Sequence, residues 1–270
     1  LLAWHLTSPL RQLQSASHKI AKGELETSIP QLARRDEIGQ LANSMDRMVL
    51  SLKTMISSQQ RLLSDISHEL RSPLTRLRLA LAITRKHQGE SNELGRIDIE
   101  ADRLEQMISD LLSLSRSQFQ PQEIQAVRLD SLLEALLDDA QFEAEQSGKS
   151  FIYATPPALE LQAYPALLSS AIENVIRNAI HYAATQITLT ITHTSDQLVI
   201  CVQDDGPGVD ESELSQIFRP FYRVSQARDR ESGGTGLGLA ICDNAMHKHG
   251  GSVIAENATP GLKVSLRLPL

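Results

Sequence analysis

Aromatic side chains make up only 4% of the 270 residues, tryptophan occurs once and cysteine twice. Cys201 and Cys242 have neither the spacing of metal ligands nor the density of a disulfide scaffold, so both are expected as reduced, buried thiols in a cytosolic setting. Positive charge is also scarce: 26 Lys and Arg stand against 33 Asp and Glu, for a net charge of -7. That balance excludes nonspecific nucleic-acid binding, which needs a basic stripe to displace counterions from phosphate. No Gly-x-x-x-x-Gly-Lys-Ser/Thr loop occurs, so a P-loop nucleotide site is excluded as well. There is no initiator methionine, and the apolar opening Leu1-Leu2-Ala3-Trp4-His5-Leu6 is too short for a bilayer span, which takes about 20 apolar residues. The chain therefore reads as cut from something longer. Its opening is either the cytoplasmic end of a transmembrane helix, with Trp4 at the interface, or a boundary inside a soluble helix.

Apolar residues are plentiful at 41%, enough for one large domain or two to three small ones. Leu6, Leu10, Leu13, Ser17 and Ile20 keep a three-four spacing up to Gly23, and Ile38, Leu41, Met45, Met48, Leu52 and Met55 keep it again after Arg34-Arg35-Asp36-Glu37. The spacing predicts a two-helix module that buries its seams against a partner copy in a parallel bundle. Leu62 and Ile66 continue the second phase, with Gln59 as its polar member, so that helix is expected to run unbroken into the next.

The next helix carries Ser67-His68-Glu69-Leu70-Arg71-Ser72-Pro73-Leu74, a nucleophile and a carboxylate side by side. Leu63, Ile66, Leu70, Leu74, Leu77 and Leu81 form one apolar stripe, which puts His68 on the opposite, solvent-facing side. From Ser58 to Lys86 this helix would be about 44 Å long, with a kink expected at Pro73, whose ring removes one helical hydrogen bond. His87 to Asn92 ends it. A second helix follows with Ile97, Ala101, Leu104, Ile108, Leu111 and Leu114 on its apolar face. Two such helices bury too little alone, and a second copy would complete a four-helix bundle.

Beyond the polar linker Ser115 to Glu123 the pattern becomes mixed and predicts an α+β domain from about residue 124. Leu129 to Ala144 reads as a helix with Asp130 near its N-cap, and Pro165 to Ala183 as another. Phe151 to Tyr153, Leu159 to Leu161, Gln186 to Ile191, Gln197 to Val202, Val253 to Ala255 and Leu262 to Leu268 read as strands, with a hairpin at Thr194-Ser195-Asp196. In the second of these helices Asn174, Asn178 and His181 share one face, and amide carbonyls are hard oxygen donors suited to Mg²⁺. Asp204-Asp205-Gly206-Pro207-Gly208 follows a strand, where an acid can accept a hydrogen bond from an adenine amine. Gly233-Gly234-Thr235-Gly236-Leu237-Gly238-Leu239 feeds a helix N-terminus, whose free amides and dipole attract phosphate. His247-Lys248-His249 lacks metal geometry, because two histidines two apart on a helix diverge.

In order, these segments and Phe218-Arg219-Pro220-Phe221-Tyr222-Arg223 resemble the N, G1, F and G2 boxes of the sensor histidine kinases, with the His68 segment in front. The resemblance covers essentially the whole chain. It implies a multidomain protein with an all-α HAMP module (1–57, with the end of a transmembrane helix), a dimeric four-helix-bundle phosphotransfer domain (58–118) and an α+β Bergerat-fold (GHKL) ATP-binding domain (124–270). In Ser64 to Arg71 and Arg228 to Gly234 the wording is similar to the Cpx-type envelope-stress sensor kinases of Gram-negative bacteria.

The resemblance further implies that His68 takes the γ-phosphoryl group of ATP with Glu69 orienting the ring and acting as base, and passes it to an aspartate of a response regulator of the OmpR-like class. Asn178 would hold Mg²⁺, Asn174 would support it, Tyr182 would stack on the base and Asp204 would read its amino group. Gly206, Gly208, Thr235, Gly236, Leu237, Gly238 and Leu239 would line the nucleotide, and Arg223 would approach its phosphates from a lid of Ser225 to Gly234. Ser72 stands where the family commonly has threonine or asparagine to position water for dephosphorylating the regulator. His181 stands where it normally has lysine. A homodimer is implied, in the cytoplasmic part of a bacterial inner-membrane protein. Two other classes share parts of this pattern: a GHKL ATPase driving a clamp, which would have no use for His68-Glu69, and a noncatalytic dimeric adaptor, which would tolerate loss of the glycines.

Overall fold

The computed structural model describes residues 2–21, 36–119, 123–224 and 234–270; of residues 2–6, 21, 60, 63, 67, 68, 88 and 116–119 it describes the backbone only. The chain forms two compact units, Leu1–Asp65 and Ile66–Leu270. Among the described residues no helix is long and apolar enough to cross a membrane.

The first unit contains α1 (Leu2–Ala21) and the start of α2 (Glu37–Gln88). Asp36 begins α2 by accepting a hydrogen bond from the Gly39 amide at 3.1 Å, which satisfies one of the free donors of the first turn. Leu13, Ala42 and Val49 form the core of the unit, with Ile20, Ile38 and Met45 packed around them. Of the expected seam, Leu13, Ile20, Ile38 and Met45 meet within the one chain. Leu41 and Met48 are each 52% exposed, because a single neighbouring helix covers one stripe of α2 and that stripe takes Ala42 and Val49 instead.

α2 does run without a break through Pro73, so the predicted continuity with the His68 segment holds. In the second unit it meets α3 (Asn92–Phe119) through charged pairs: Arg78 with Asp102 and Glu105, and Arg85 with Asp98. The partners' numbers fall on α3 as those on α2 rise, which fixes an antiparallel register. The predicted apolar stripe is not covered within one chain: Leu81 is buried, but Ile66, Leu70 and Leu77 are about 40% exposed, at 43%, 44% and 39%. On α3, Ala101 and Leu114 are buried as expected, whereas Ile97 and Leu104 are exposed and Leu112 is buried in their place.

The rest of the second unit is built from β1 (Gln125–Arg128), α4 (Leu129–Gln146), β2 (Ser150–Tyr153), β3 (Glu160–Ala163), α5 (Pro165–Tyr182), β4 (Gln186–His193), β5 (Gln197–Asp204), α6 (Gly238–Lys248), β6 (Ser252–Asn257) and β7 (Leu262–Pro269). β1 and β3 pair antiparallel, and a mixed five-stranded sheet has the order β2-β4-β5-β7-β6, parallel only between β2 and β4. Alternation drives the layering, since β5 buries Leu198, Ile200 and Val202 against the helices. Leu133 of α4, Leu168 and Ile172 of α5, and Ile187 and Leu189 of β4 complete a core of fully buried side chains. Each contributes about 1.5–3 kcal/mol by burial. β1 is a strand too short to announce itself by alternation, and Asp130 lies near the N-cap of α4 as expected, in the first turn, where it pairs with Arg128, the residue at the N-cap position.

Candidate functional site

Four elements converge on a cavity of about 740 Å³ in the second unit. α5 contributes Asn174, Asn178, His181 and Tyr182, which line one side of the helix along the edge of its buried face of Leu168, Ile172, Val175 and Ala179. The end of β5 and the turn after it contribute Asp204, Gly206 and Gly208; the segment before α6 and the first turn of that helix contribute Tyr222, Arg223, Thr235, Gly236, Gly238 and Leu239. α3 contributes Arg103, Gln106 and Asp110. The glycine turn before α6 and the segment at Phe221 are tied together, since Phe221 N donates to Gly236 O at 2.9 Å.

The floor of the cavity is organised around Asp204, which is 4% exposed. One of its oxygens accepts from the Gly206 amide at 2.8 Å and from the Leu262 amide at 3.3 Å. Burial raises the Asp204 pKa, and the Asp205 charge adds to it, against the downward pull of those two amides. Glycine is required here: a Cβ on Gly206 would collide with the Tyr182 carbonyl oxygen, and one on Gly261, which sits at φ +93°, with the Asp204 carbonyl oxygen. Asp205 faces away and accepts from Ala184 N (2.8 Å), Thr185 N (2.9 Å), Thr185 Oγ1 (2.6 Å) and Gln186 N (3.0 Å). Partial burial works against its charge, but these donors outweigh it and hold its pKa far below the usual carboxylate range. The result is a fixed loop after α5.

Charge on the opposite wall is positive. Desolvation lowers the His181 pKa, followed by the nearby cations Lys149, Arg223 and Arg103. Lys149 Nζ donates to Ile180 O at 2.5 Å and so caps the C-terminus of α5. Asn174 Nδ2 donates to Ser170 O at 2.8 Å, which leaves its carbonyl oxygen turned toward Gly238.

Of the residues expected to bind nucleotide, Asn174, Asn178, Tyr182, Asp204, Gly206, Gly208, Arg223, Thr235, Gly236, Gly238 and Leu239 all line this cavity. Leu237 does not. Its side chain is fully buried against Leu114 and Ile241, and its amide donates to Thr235 Oγ1 at 3.2 Å, so it anchors the turn. Glu69 and Ser72 lie on α2 away from the cavity lining, both exposed, and Arg76 donates to Ser72 Oγ at 2.6 Å. The His68 side chain and the expected lid from Ser225 to Gly233 lie outside the described residues. Contributors not anticipated include Arg103, Gln106, Asp110, Lys149, Gly261 and Asn257, the last with an amide group that brackets Val209 N and O. Only Gly261 had a visible signal, the Pro260-Gly261 turn before a strand.

The remaining candidates resolve simply. His249 takes the Tyr164 amide on Nε2 at 3.0 Å and contacts Ala245 O through Nδ1 at 2.7 Å, so its ring is a helix-end connector. Among the described residues no group of three or more His, Cys, Asp or Glu could hold a metal. Cys242 is fully buried, which raises its thiol pKa well above normal, whereas Cys201 is only half-buried, beside Ser265 Oγ, contrary to expectation.

Residues 163–270 match the family of histidine kinase-, DNA gyrase B- and HSP90-like ATPases, residues 58–120 the His Kinase A (phospho-acceptor) domain and residues 1–54 the HAMP domain. The sensor histidine kinase CpxA of Escherichia coli (strain K12) is 47% identical over 272 residues, covering 100% of this chain and 60% of CpxA. CpxA of Klebsiella pneumoniae gives the same identity and coverage. The chain thus spans about 60% of the length of these curated relatives. Among solved structures, full-length ShkA in complex with AMPPNP shares the fold, with a TM-score of 0.60 at 22% identity over 77% of this chain and 45% of that one. The order of the three domain matches, together with an identity to CpxA that extends from end to end, shows that this chain belongs to the sensor histidine kinases.

Proposed function

We propose that the chain is the signalling core of a two-component kinase, which binds Mg-ATP in the cavity beside α5, phosphorylates His68 and passes the phosphoryl group to an aspartate of a response regulator. The observation that carries this reading is the convergence of eleven sequence-selected residues on one cavity. Its donor set suits a nucleotide. A buried carboxylate faces the adenine end, α6 directs its N-terminal amides at the glycine turn, and cations surround His181. Mg²⁺ fits the same set through the Asn178 amide oxygen. A single protein oxygen is enough for an ion that keeps several waters and otherwise binds phosphate.

In the reaction, one His68 ring nitrogen attacks the γ-phosphorus, the bond to the bridging oxygen breaks and ADP leaves, while Glu69 orients the ring and receives its proton. Because Glu69 and Ser72 stand outside the cavity lining, the ATPase domain must reseat on α2 for this step. Ser72 would position water for the reverse, dephosphorylating activity; its hydroxyl accepts from Arg76 and so keeps its own proton to donate. The division into residues 1–57, 58–118 and 124–270, the homodimer and a regulator of the OmpR-like class belong to the same reading. So do a role in envelope-stress signalling and a place on the cytoplasmic side of a bacterial inner membrane.

Transfer of radiolabel from ATP into an acid-labile, base-stable linkage tests the reading. His68→Gln should abolish labelling and leave nucleotide affinity intact, and Asn178→Asp should impair use of Mg-ATP by placing negative charge beside the phosphates. A clamp ATPase would hydrolyse ATP without labelling, and an adaptor would do neither.

A further inference from the structure

α3 reaches the nucleotide cavity with three side chains on one face, Arg103, Gln106 and Asp110, at successive turns. Asp110 is 8% exposed, and both its oxygens are used: one accepts from Gln106 Nε2 at 2.7 Å, the other from Thr235 Oγ1 at 2.7 Å. The same Thr235 oxygen accepts from Leu237 N at 3.2 Å, so a carboxylate of α3 fixes the turn that opens α6. Around it Met107, Leu111 and Leu114 pack on Leu237 and Ile241 and exclude water, which strengthens the bond and raises the cost of losing it.

Arg103 stands seven residues before Asp110, about 10 Å along the helix, on the side of the cavity where Lys149, His181 and Arg223 gather. One of its partners, Glu100, at 2.7 Å and three residues away, is 59% exposed, whereas Arg103 itself is 24% exposed. A helix pair of that spacing with one member in solvent is weak, and a di- or triphosphate carrying several charges would compete for the guanidinium.

We propose that α3 is a working wall of the nucleotide site, with Arg103 as a phosphate-binding residue and Asp110 as the positioning residue that holds the glycine turn through Thr235. The proposal rests on the nucleotide reading and adds to it that nucleotide affinity and the seating of the ATPase domain on α3 are coupled, each strengthening the other.

Titration calorimetry on the 270-residue chain, with Mg-AMPPNP and separately with adenosine, decides it. Arg103→Gln should weaken AMPPNP about five- to twentyfold, flatten its salt dependence and leave adenosine unchanged, because only the phosphates meet the guanidinium. Arg103→Lys should recover part of the loss, and Glu100→Gln, which removes one competing carboxylate, should tighten AMPPNP about twofold. Asp110→Ala should weaken both ligands about three- to tenfold through the loosened turn, with most of the affinity restored by Asp110→Asn, which still bonds Thr235. Should Asp110→Ala fail to fold by circular dichroism, Asp110→Asn and the Arg103 variants carry the test. Unchanged AMPPNP affinity in Arg103→Gln and in the Asp110 variants, with nucleotide still bound by the natural sequence, overturns the wall and leaves the reading standing. Loss of adenosine binding in Arg103→Gln overturns the phosphate role. No nucleotide binding by the natural sequence overturns the reading itself.

Discussion

The ATPase part and the helical part of the second unit use the same apolar residue types to different ends. In the first, Leu133 of α4, Leu168 and Ile172 of α5, Ile187 and Leu189 of β4, Leu198 and Ile200 of β5 and Leu266 of β7 are fully buried within one chain, in a core that joins the helices to the sheet. In the second, α2 and α3 are tied by charged pairs while Ile66, Leu70, Leu77, Ile97 and Leu104 remain exposed. One region is a finished core. The other is half of one, and a second copy of the same stripe is the natural cover, since isologous packing joins identical faces.

The largest effect on that contrast should come from Gly261→Ala. The added Cβ falls on the Asp204 carbonyl oxygen at a positive φ, so the finished core should lose about 3 kcal/mol or more. Denaturant unfolding should record the loss, and nucleotide titration a site whose Asp204 has moved. Next, Leu189→Ala should cost about 2–5 kcal/mol by leaving a cavity beneath β4, with a midpoint independent of protein concentration. Leu70→Ala should behave oppositely. It should barely move the unfolding of the ATPase part yet weaken self-association about tenfold, read by sedimentation across a dilution series. Equal, concentration-independent losses from Leu189→Ala and Leu70→Ala would mean that the α2 stripe is covered within the chain and that the contrast is false.

The smallest effect concerns pH. Burial lowers the folded-state pKa of His249 below that of the unfolded chain, so the folded form binds fewer protons in between. The stability from the neutral ring is present above a pH of about 6.5 and drains away as the pH falls from there toward the lower folded value. His249→Ala should therefore flatten the loss of stability between about pH 7 and pH 5, measured by denaturation at each pH. An unaltered slope would show that the burial of this ring does not contribute to the acid loss of stability.

The elements of the ATPase part were legible because their periodicity is local: the alternation of Gln197 to Val202 and the three-four spacing after Pro165 each report a face. β1 was not, since four residues with little burial carry no clear period. Asp130 does lie near the N-cap of α4, but its pairing with Arg128, the N-cap residue, was not legible in the residue types. In the first unit the spacing named the right helices, and the contact within one chain takes Ala42 and Val49 beside Ile38 and Met45, because Ala42 and Leu41 are both apolar and only the neighbour's location chooses between them.

The amino-acid sequence determined by itself the elements, the glycine turns and the residue types facing the cavity, because helix and strand periods and the demands of tight turns act over a few residues. Only the tertiary structure decided which surfaces meet. The bond from Thr235 to Asp110 joins positions 125 residues apart, and the amide of Leu262 reaches Asp204 across 58. Neither pairing has a local signature, since a carboxylate on α3 reads like any other acid on a polar helix face until folding brings a hydroxyl to it and shuts out the water.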